Sequence, residues 1–241
     1  MYIEESKGDK GRLILVSKLE HELNALRRFY TWQEELANVV THILGLVGSL
    51  IAVGWLVWLA WGGGDMWRVV SFAIYGGSLS FVYLTSSIYH SWWPTKTRLF
   101  LRKVDHIAIY FLIAGTYTPF MLVSIKGVWG WSVLAFVWFF ACVGTIFKLL
   151  YIDKFPRVAI TMYLLMGWAG VVVFEQFVLL VPMGAMLWLL AGGIIYTLGV
   201  VFYVWRQLPY NHAIWHLFVI GGSACHYIAV LFYLLPIPEI S

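Results

Sequence analysis

Seven runs of apolar residues, roughly Asn38–Trp61, Val69–Tyr89, Ile107–Val123, Gly127–Tyr151, Ala159–Val181, Gly184–Val204 and His212–Leu235, follow one another with short breaks between them. A bilayer core about 30 Å thick is crossed by about 20 helical residues, so each run is long enough to span a membrane. Transmembrane β-strands would alternate apolar and polar positions over about ten residues. The stretch WSVLAFVWFFACVG, residues 131–144, does not alternate. The reading is an all-α integral membrane protein, a seven-transmembrane helix bundle. Composition agrees: 61% of the 241 residues are hydrophobic and 12% charged, against about 45–50% and about 25% in a soluble domain. Soluble folds are therefore excluded. Fourteen Trp and fourteen Tyr suit a chain with two membrane interfaces.

The breaks (GGGD, PTKTR, DKFP, VPMG, QLPYN) are tight, which forces antiparallel neighbours into a single bundle. The expected organisation is an N-terminal tail over 1–30, a seven-helix domain over 31–236 and a short C-terminal tail over 237–241. The stretch Glu20–Leu36 reads either as an interfacial helix leading into the first span or as part of a mobile tail. The start of the chain lacks the apolar segment of a cleavable signal peptide. Cys142 and Cys225 both lie within apolar runs and make no disulfide framework.

Fourteen of the sixteen Lys and Arg fall in the tail and in the loops after the second, fourth and sixth runs, leaving Arg68 and Lys126 on the other side. The positive-inside rule then places the N-terminus in the cytoplasm and the C-terminus outside. The formal charge of +4 is thus a product of topology, and nucleic acid drops out as a partner.

Ionisable groups in membrane spans are costly and mark functional sites by default. Here they gather at one depth. The first run opens with Glu35, Asn38 and His42, the second closes with Ser86 and His90, the third opens with Asp105 and His106, and the seventh opens with His212 and His216. Under the alternation of seven helices all of these fall at the cytoplasmic side. His212 and His216, four apart, share a helix face, and His90 is the natural third imidazole. Three imidazoles suit Zn²⁺, with iron, copper and manganese as alternatives because imidazole discriminates poorly, and three protein ligands with a fourth position left for water describe a catalytic site. Asp105 would accept a hydrogen bond from that water or take its proton, with Ser86 beside it. Hydrogen bonding between helices or contact with lipid headgroups is the competing account of the histidines. Glu35, Asn38 and His42 form one stripe and read as a hydrogen-bonded seam holding the first helix against the site. His106 points away from Asp105 and reads as interfacial, His226 lies too deep to share the metal, and Glu175 reads either as a packed carboxyl or as a substrate or ion contact. Pro119 should kink the third span, and the paired glycines Gly76–Gly77, Gly192–Gly193 and Gly221–Gly222 should let helices approach closely.

Glu35-x2-Asn38-x3-His42, Ser86-x3-His90 followed by Asp105, and His212-x3-His216 together resemble the three patterns of the progestin and adipoQ receptor (PAQR) family, and within it the bacterial hemolysin III branch. The resemblance covers roughly Trp32 to Pro236. It implies a cytoplasmic N-terminus, zinc near the inner leaflet held by His90, His212 and His216, and Asp105 and Ser86 around the water. The long N-terminal regions of the receptor members are missing here, so hormone recognition is not carried over. The wider superfamily includes alkaline ceramidases, which implies lipid amide hydrolysis, while the hemolysin name implies cytolysis.

Three functions compete. In the first, the chain is a zinc-dependent hydrolase of membrane lipids acting on a ceramide-like amide at the inner leaflet of the cell membrane. In the second it is a lipid-sensing or signalling protein in which zinc only clamps helices. The third is a pore-forming cytolytic factor, which ranks last because polarity is confined to one end of the spans.

Overall fold

The computed structural model describes residues 12, 16–17, 30–92, 96–152 and 154–235. Its ordered elements are α1 (Trp32–Gly62), α2 (Met66–Ser91), α3 (Lys96–Pro119) continued by a π-helical turn (Phe120–Ile125), α4 (Gly127–Tyr151), α5 (Pro156–Gly167), a 3₁₀ turn (Ala169–Val173), α6 (Phe174–Leu180), α7 (Met183–Val204) and α8 (Asn211–Tyr233). With the turns and α6 counted into their neighbours, seven helices among the described residues are long and apolar enough to cross a membrane. The expected seven runs are all present. The segment expected to be tail or interfacial helix lies, up to Phe29, outside the described residues, as does the C-terminal tail.

Local chemistry sets the boundaries. Thr31 and Glu34 form a reciprocal capping box at the start of α1. Asp65 caps α2 by accepting from the backbone N–H of Trp67 at 2.9 Å. Pro156 opens α5, where a missing N–H costs nothing. α3 begins at Lys96 rather than at Ile107, because its first turns carry Lys and Arg and extend the helix beyond its apolar stretch. At the other end of α3, Pro119 has no N–H to donate and its ring crowds the preceding turn; the helix responds by widening into the π-turn. The fifth span is also broken. Tyr117 repairs that break, its hydroxyl donating to the Gly167 carbonyl at 2.7 Å and accepting from the Gly170 N–H at 2.9 Å.

Sequential helices pack as antiparallel neighbours, α1 on α2, α2 on α3, α3 on α4 and α7 on α8, and α8 closes back on α1. One glycine of each expected pair makes a close approach. A Cβ on Gly76 would lie 1.9 Å from the Val53 side chain of α1, whereas one on Gly77 would meet nothing. Two long-range ties fix α8. Near one end of the bundle the Glu34 carboxylate accepts from the Tyr210 N–H at 3.0 Å, and near the other Arg68 Nε donates to the Leu234 carbonyl at 2.8 Å. The core holds Leu56, Phe72, Tyr75, Tyr110, Phe120 and Met121, all buried. The outer surface is apolar as well: Leu44, Ile51, Trp58, Leu165 and Leu179 are among its exposed side chains. Water would not tolerate such a surface, whereas hydrocarbon solvates it without penalty.

Candidate metal centre

Closure of α8 onto α1, next to α2, brings residues from distant parts of the chain to one end of the bundle. His90 from the last turn of α2 and His212 and His216 from the first turns of α8 are all buried. One ring nitrogen from each lies within 4.8 Å of those of the other two. The ring centroids stand 5.0 Å apart for His90 and His212, 5.3 Å for His90 and His216, and 4.5 Å for His212 and His216. Tetrahedral ligation at about 2.0–2.1 Å sets donor atoms roughly 3.3 Å apart, so small rotations of the rings would close the set.

The hydrogen bonds orient these rings. His90 Nδ1 donates to Glu35 Oε2 at 2.7 Å, and the Asn38 amide lies 3.4 Å from the same nitrogen. Glu35 in turn pairs with Arg98, whose guanidinium sits over the Tyr89 ring. With its proton on Nδ1, His90 presents a bare Nε2, which is buried without a hydrogen-bond partner among the described residues. His212 Nδ1 is in the same condition. Thr41 Oγ1 lies 3.2 Å from His216 Nδ1. Buried polar atoms left unpaired are expensive, and a set of imidazole nitrogens, oriented from behind by a carboxylate and a hydroxyl, is the donor chemistry a borderline divalent cation takes. The residues fit a metal ion.

Asp105 and Ser86 are buried and line one cavity with His212, His216 and His42, and the Ser86 hydroxyl faces the Asp105 carboxylate. That cavity, about 150 Å³, continues away from the imidazoles between walls that include Val82, Ile109, Leu112, Ile113, Leu164 and Val200 and reaches His226. Its character is polar at the histidine end and mostly apolar beyond.

Three expectations need correction. The stripe on α1 does not act as a single hydrogen-bonded seam: Glu35 and Asn38 reach His90, while His42 packs its ring 3.5 Å from that of His216 and leaves both nitrogens without a hydrogen-bond partner among the described residues. His106 is not interfacial; it lines the cavity and donates from Nδ1 to the Arg102 carbonyl at 2.8 Å. Glu175 is exposed on α6 rather than packed, because the broken fifth span turns it outward. His226 stands apart from the three histidines, as its spacing requires.

Other contacts escaped the sequence. Arg98, counted only as a topology-setting charge, is buried against Glu35. Thr41 stands between two residues of the recognised stripe and showed no separate signal. Tyr30, just ahead of α1, packs 5.2 Å from His212 and 6.1 Å from His90 by ring centroids. Burial raises the pKa of its phenol well above the usual value, helped by Tyr89, Tyr203 and Glu35, so it stays a neutral hydrogen-bond donor at the rim.

Residues 30–227 match the family described as Haemolysin-III related. The chain is 41% identical over 212 residues to the hemolysin-3 homolog of Bacillus subtilis (strain 168), covering 88% of this chain and all of that protein. It is 43% identical over 204 residues to hemolysin-3 of Bacillus cereus, covering 85% and 93%. Its likeness extends to the human monocyte to macrophage differentiation factor, at 33% identity over 214 residues, 86% of this chain and 87% of the relative. With the matched segment running from Tyr30, ahead of α1, into α8, this multi-pass membrane chain belongs to the hemolysin III branch of the PAQR family.

Proposed function

We propose that the protein is a zinc-dependent hydrolase of membrane lipids, cleaving a ceramide-like amide at the cytoplasmic leaflet. The observation that carries this reading is that His212 and His216, which cluster with His90, border with Asp105 and Ser86 one cavity whose remainder is largely apolar. His90, His212 and His216 would hold the metal, with Glu35 and Thr41 fixing the rings from behind and His42 packed against His216. A divalent ion there would supply Lewis acidity, lowering the pKa of water and polarising a carbonyl. Asp105 is the general base that removes a proton from the attacking water and returns it to the leaving amine. Ser86 donates its one O–H to that carboxylate and so orients it. The apolar continuation receives the acyl chain and keeps bulk water from the reacting carbon. The excess of Lys and Arg at the same end of the bundle supports a cytoplasmic site.

The test combines elemental analysis with a lipid-release screen on purified, metal-loaded protein. The reading requires about one zinc per chain, loss of that metal in His216→Ala, and fatty acid release from ceramide-like amides that disappears in Asp105→Asn while the metal stays. A panel of lipid amides and esters left intact by the zinc-loaded protein would refute it.

A further inference from the structure

The inner part of the cavity carries a polar group that the hydrolytic reading does not use. His226, ten residues beyond His216 on α8, lies about 15 Å further along the helix and still lines the same cavity. It is more than nine-tenths buried. Its Nε2 lies 3.2 Å from the Leu189 carbonyl, which can only accept, so Nε2 carries the proton. In the neutral ring Nδ1 is then a bare acceptor, and it is buried with no hydrogen-bond partner among the described residues.

The seat of this ring is built. A Cβ on Gly192 of α7 would lie 2.4 Å from His226 Cδ2 and Nε2, so a glycine there is what lets the imidazole lie against α7. Tyr196 flanks it at 5.4 Å between centroids, yet commits its hydroxyl to Ser223 Oγ at 2.7 Å. Thr197, another wall residue, donates back to the Gly193 carbonyl at 2.7 Å and accepts from Trp168 Nε1 at 3.2 Å. Both neighbouring hydroxyls are spent on other partners.

We propose that His226 Nδ1 is the acceptor of a subsite for a hydroxyl group on the acyl chain of the bound lipid, making the cavity selective for hydroxylated acyl chains. The inference rests on the reading of the cavity as an acyl-chain site. The separation fixes where the hydroxyl belongs. Half of a bilayer core about 30 Å thick is the depth reached by one leaflet's acyl chains, so a chain with its headgroup at the three histidines brings a carbon well down its length to His226. A hydroxyl next to the carboxyl would stay at the polar mouth. The hydroxyl donates to Nδ1, which removes the cost of an unpaired buried acceptor, whereas a plain methylene leaves that cost in place.

Binding of octadecanoate, its 2-hydroxy derivative and its 12-hydroxy derivative to the purified full-length protein in nanodiscs, followed by displacement of a fluorescent fatty acid, separates the outcomes. The 12-hydroxy chain is expected to bind about tenfold more tightly than octadecanoate, the equivalent of one hydrogen bond, and the 2-hydroxy chain no better than octadecanoate. In His226→Gln, which keeps a donor for Leu189 but shifts the acceptor, and in His226→Phe, the ratio between the affinities for the 12-hydroxy chain and for octadecanoate should fall to about one. If Phe at this position prevents folding, the Gln variant alone decides, with its melting temperature as the control. Equal affinity of the plain and 12-hydroxy chains in the wild type overturns the subsite and leaves the acyl cavity standing, with a buried water as the partner of Nδ1. A preference that survives in His226→Gln overturns it as well. Failure of all three chains to bind overturns the acyl-cavity reading itself.

Discussion

Replacing Glu35 by Gln tests whether the metal is held from behind as well as in front. Glu35 Oε2 accepts from His90 Nδ1 at 2.7 Å, which fixes the ring's tautomer and points Nε2 toward His212 and His216. Glutamine keeps the shape and an accepting carbonyl but loses the charge. A hydrogen bond to a charged group is worth about 1.5–3 kcal/mol against roughly 1 for a neutral one, a difference near 1.4 kcal/mol, or tenfold in an equilibrium constant. That value falls at the lower edge of the 10- to 100-fold range for lost partners of metal-ligating residues. Glu35→Gln should therefore weaken zinc binding about tenfold, measured by competition with a chelator of known affinity. Glu34→Gln is the matched control, because among the described residues Glu34 hydrogen-bonds to Thr31 and Tyr210 rather than to His90, His212 or His216, and its affinity should not change. Equal affinities in wild type and Glu35→Gln would refute the reasoning, as would an equal loss in both variants.

Other consequences can be measured alongside. Chelation should lower the melting temperature of the wild type but not of His216→Ala, the lost stability being about 2.7 kcal/mol if free zinc had stood at a hundred times its Kd. Asp65→Ala removes the cap of α2 and should cost about 1 kcal/mol in thermal unfolding with no change in zinc content, since it sits in the loop between α1 and α2. Gly76→Ala should cost about 1–3 kcal/mol through overpacking against Val53, and a second change, Val53→Ala, should restore most of it.

The bundle was legible because hydrocarbon imposes length: an apolar run that spans a bilayer has few structures open to it. The imidazole set was legible for a related reason, since an ionisable group in a span needs a partner and the helix alternation says which ends coincide. Contacts that depend on side-chain direction were not readable. Arg98 sits in a loop-like sequence, Pro-Thr-Lys-Thr-Arg, and only the extension of α3 to Lys96 turns its guanidinium onto Glu35. A 100° rotation turns His106 away from Asp105 on the helix, but a cavity flanked by α3, α5 and α8 is wide enough to take both residues. Glu175 was misplaced because the 3₁₀ turn at Ala169–Val173 resets the helical phase of everything after it, and an apolar run of Gly, Val and Ala carries no mark of where such a turn will fall.

The way α8 closes the bundle has a consequence for how the chain is made. His90 and His212 are separated by about 120 residues, which a ribosome adding about 5–20 residues per second needs roughly 6 to 24 seconds to bridge. Throughout that interval Glu35, Arg98 and His90 can already have met, while the helix that brings the other two imidazoles, and that Arg68 secures at its far end through Leu234, has yet to be synthesised. A half-translated chain thus shows its most polar flank to lipid, and only the arrival of its final described helix buries it.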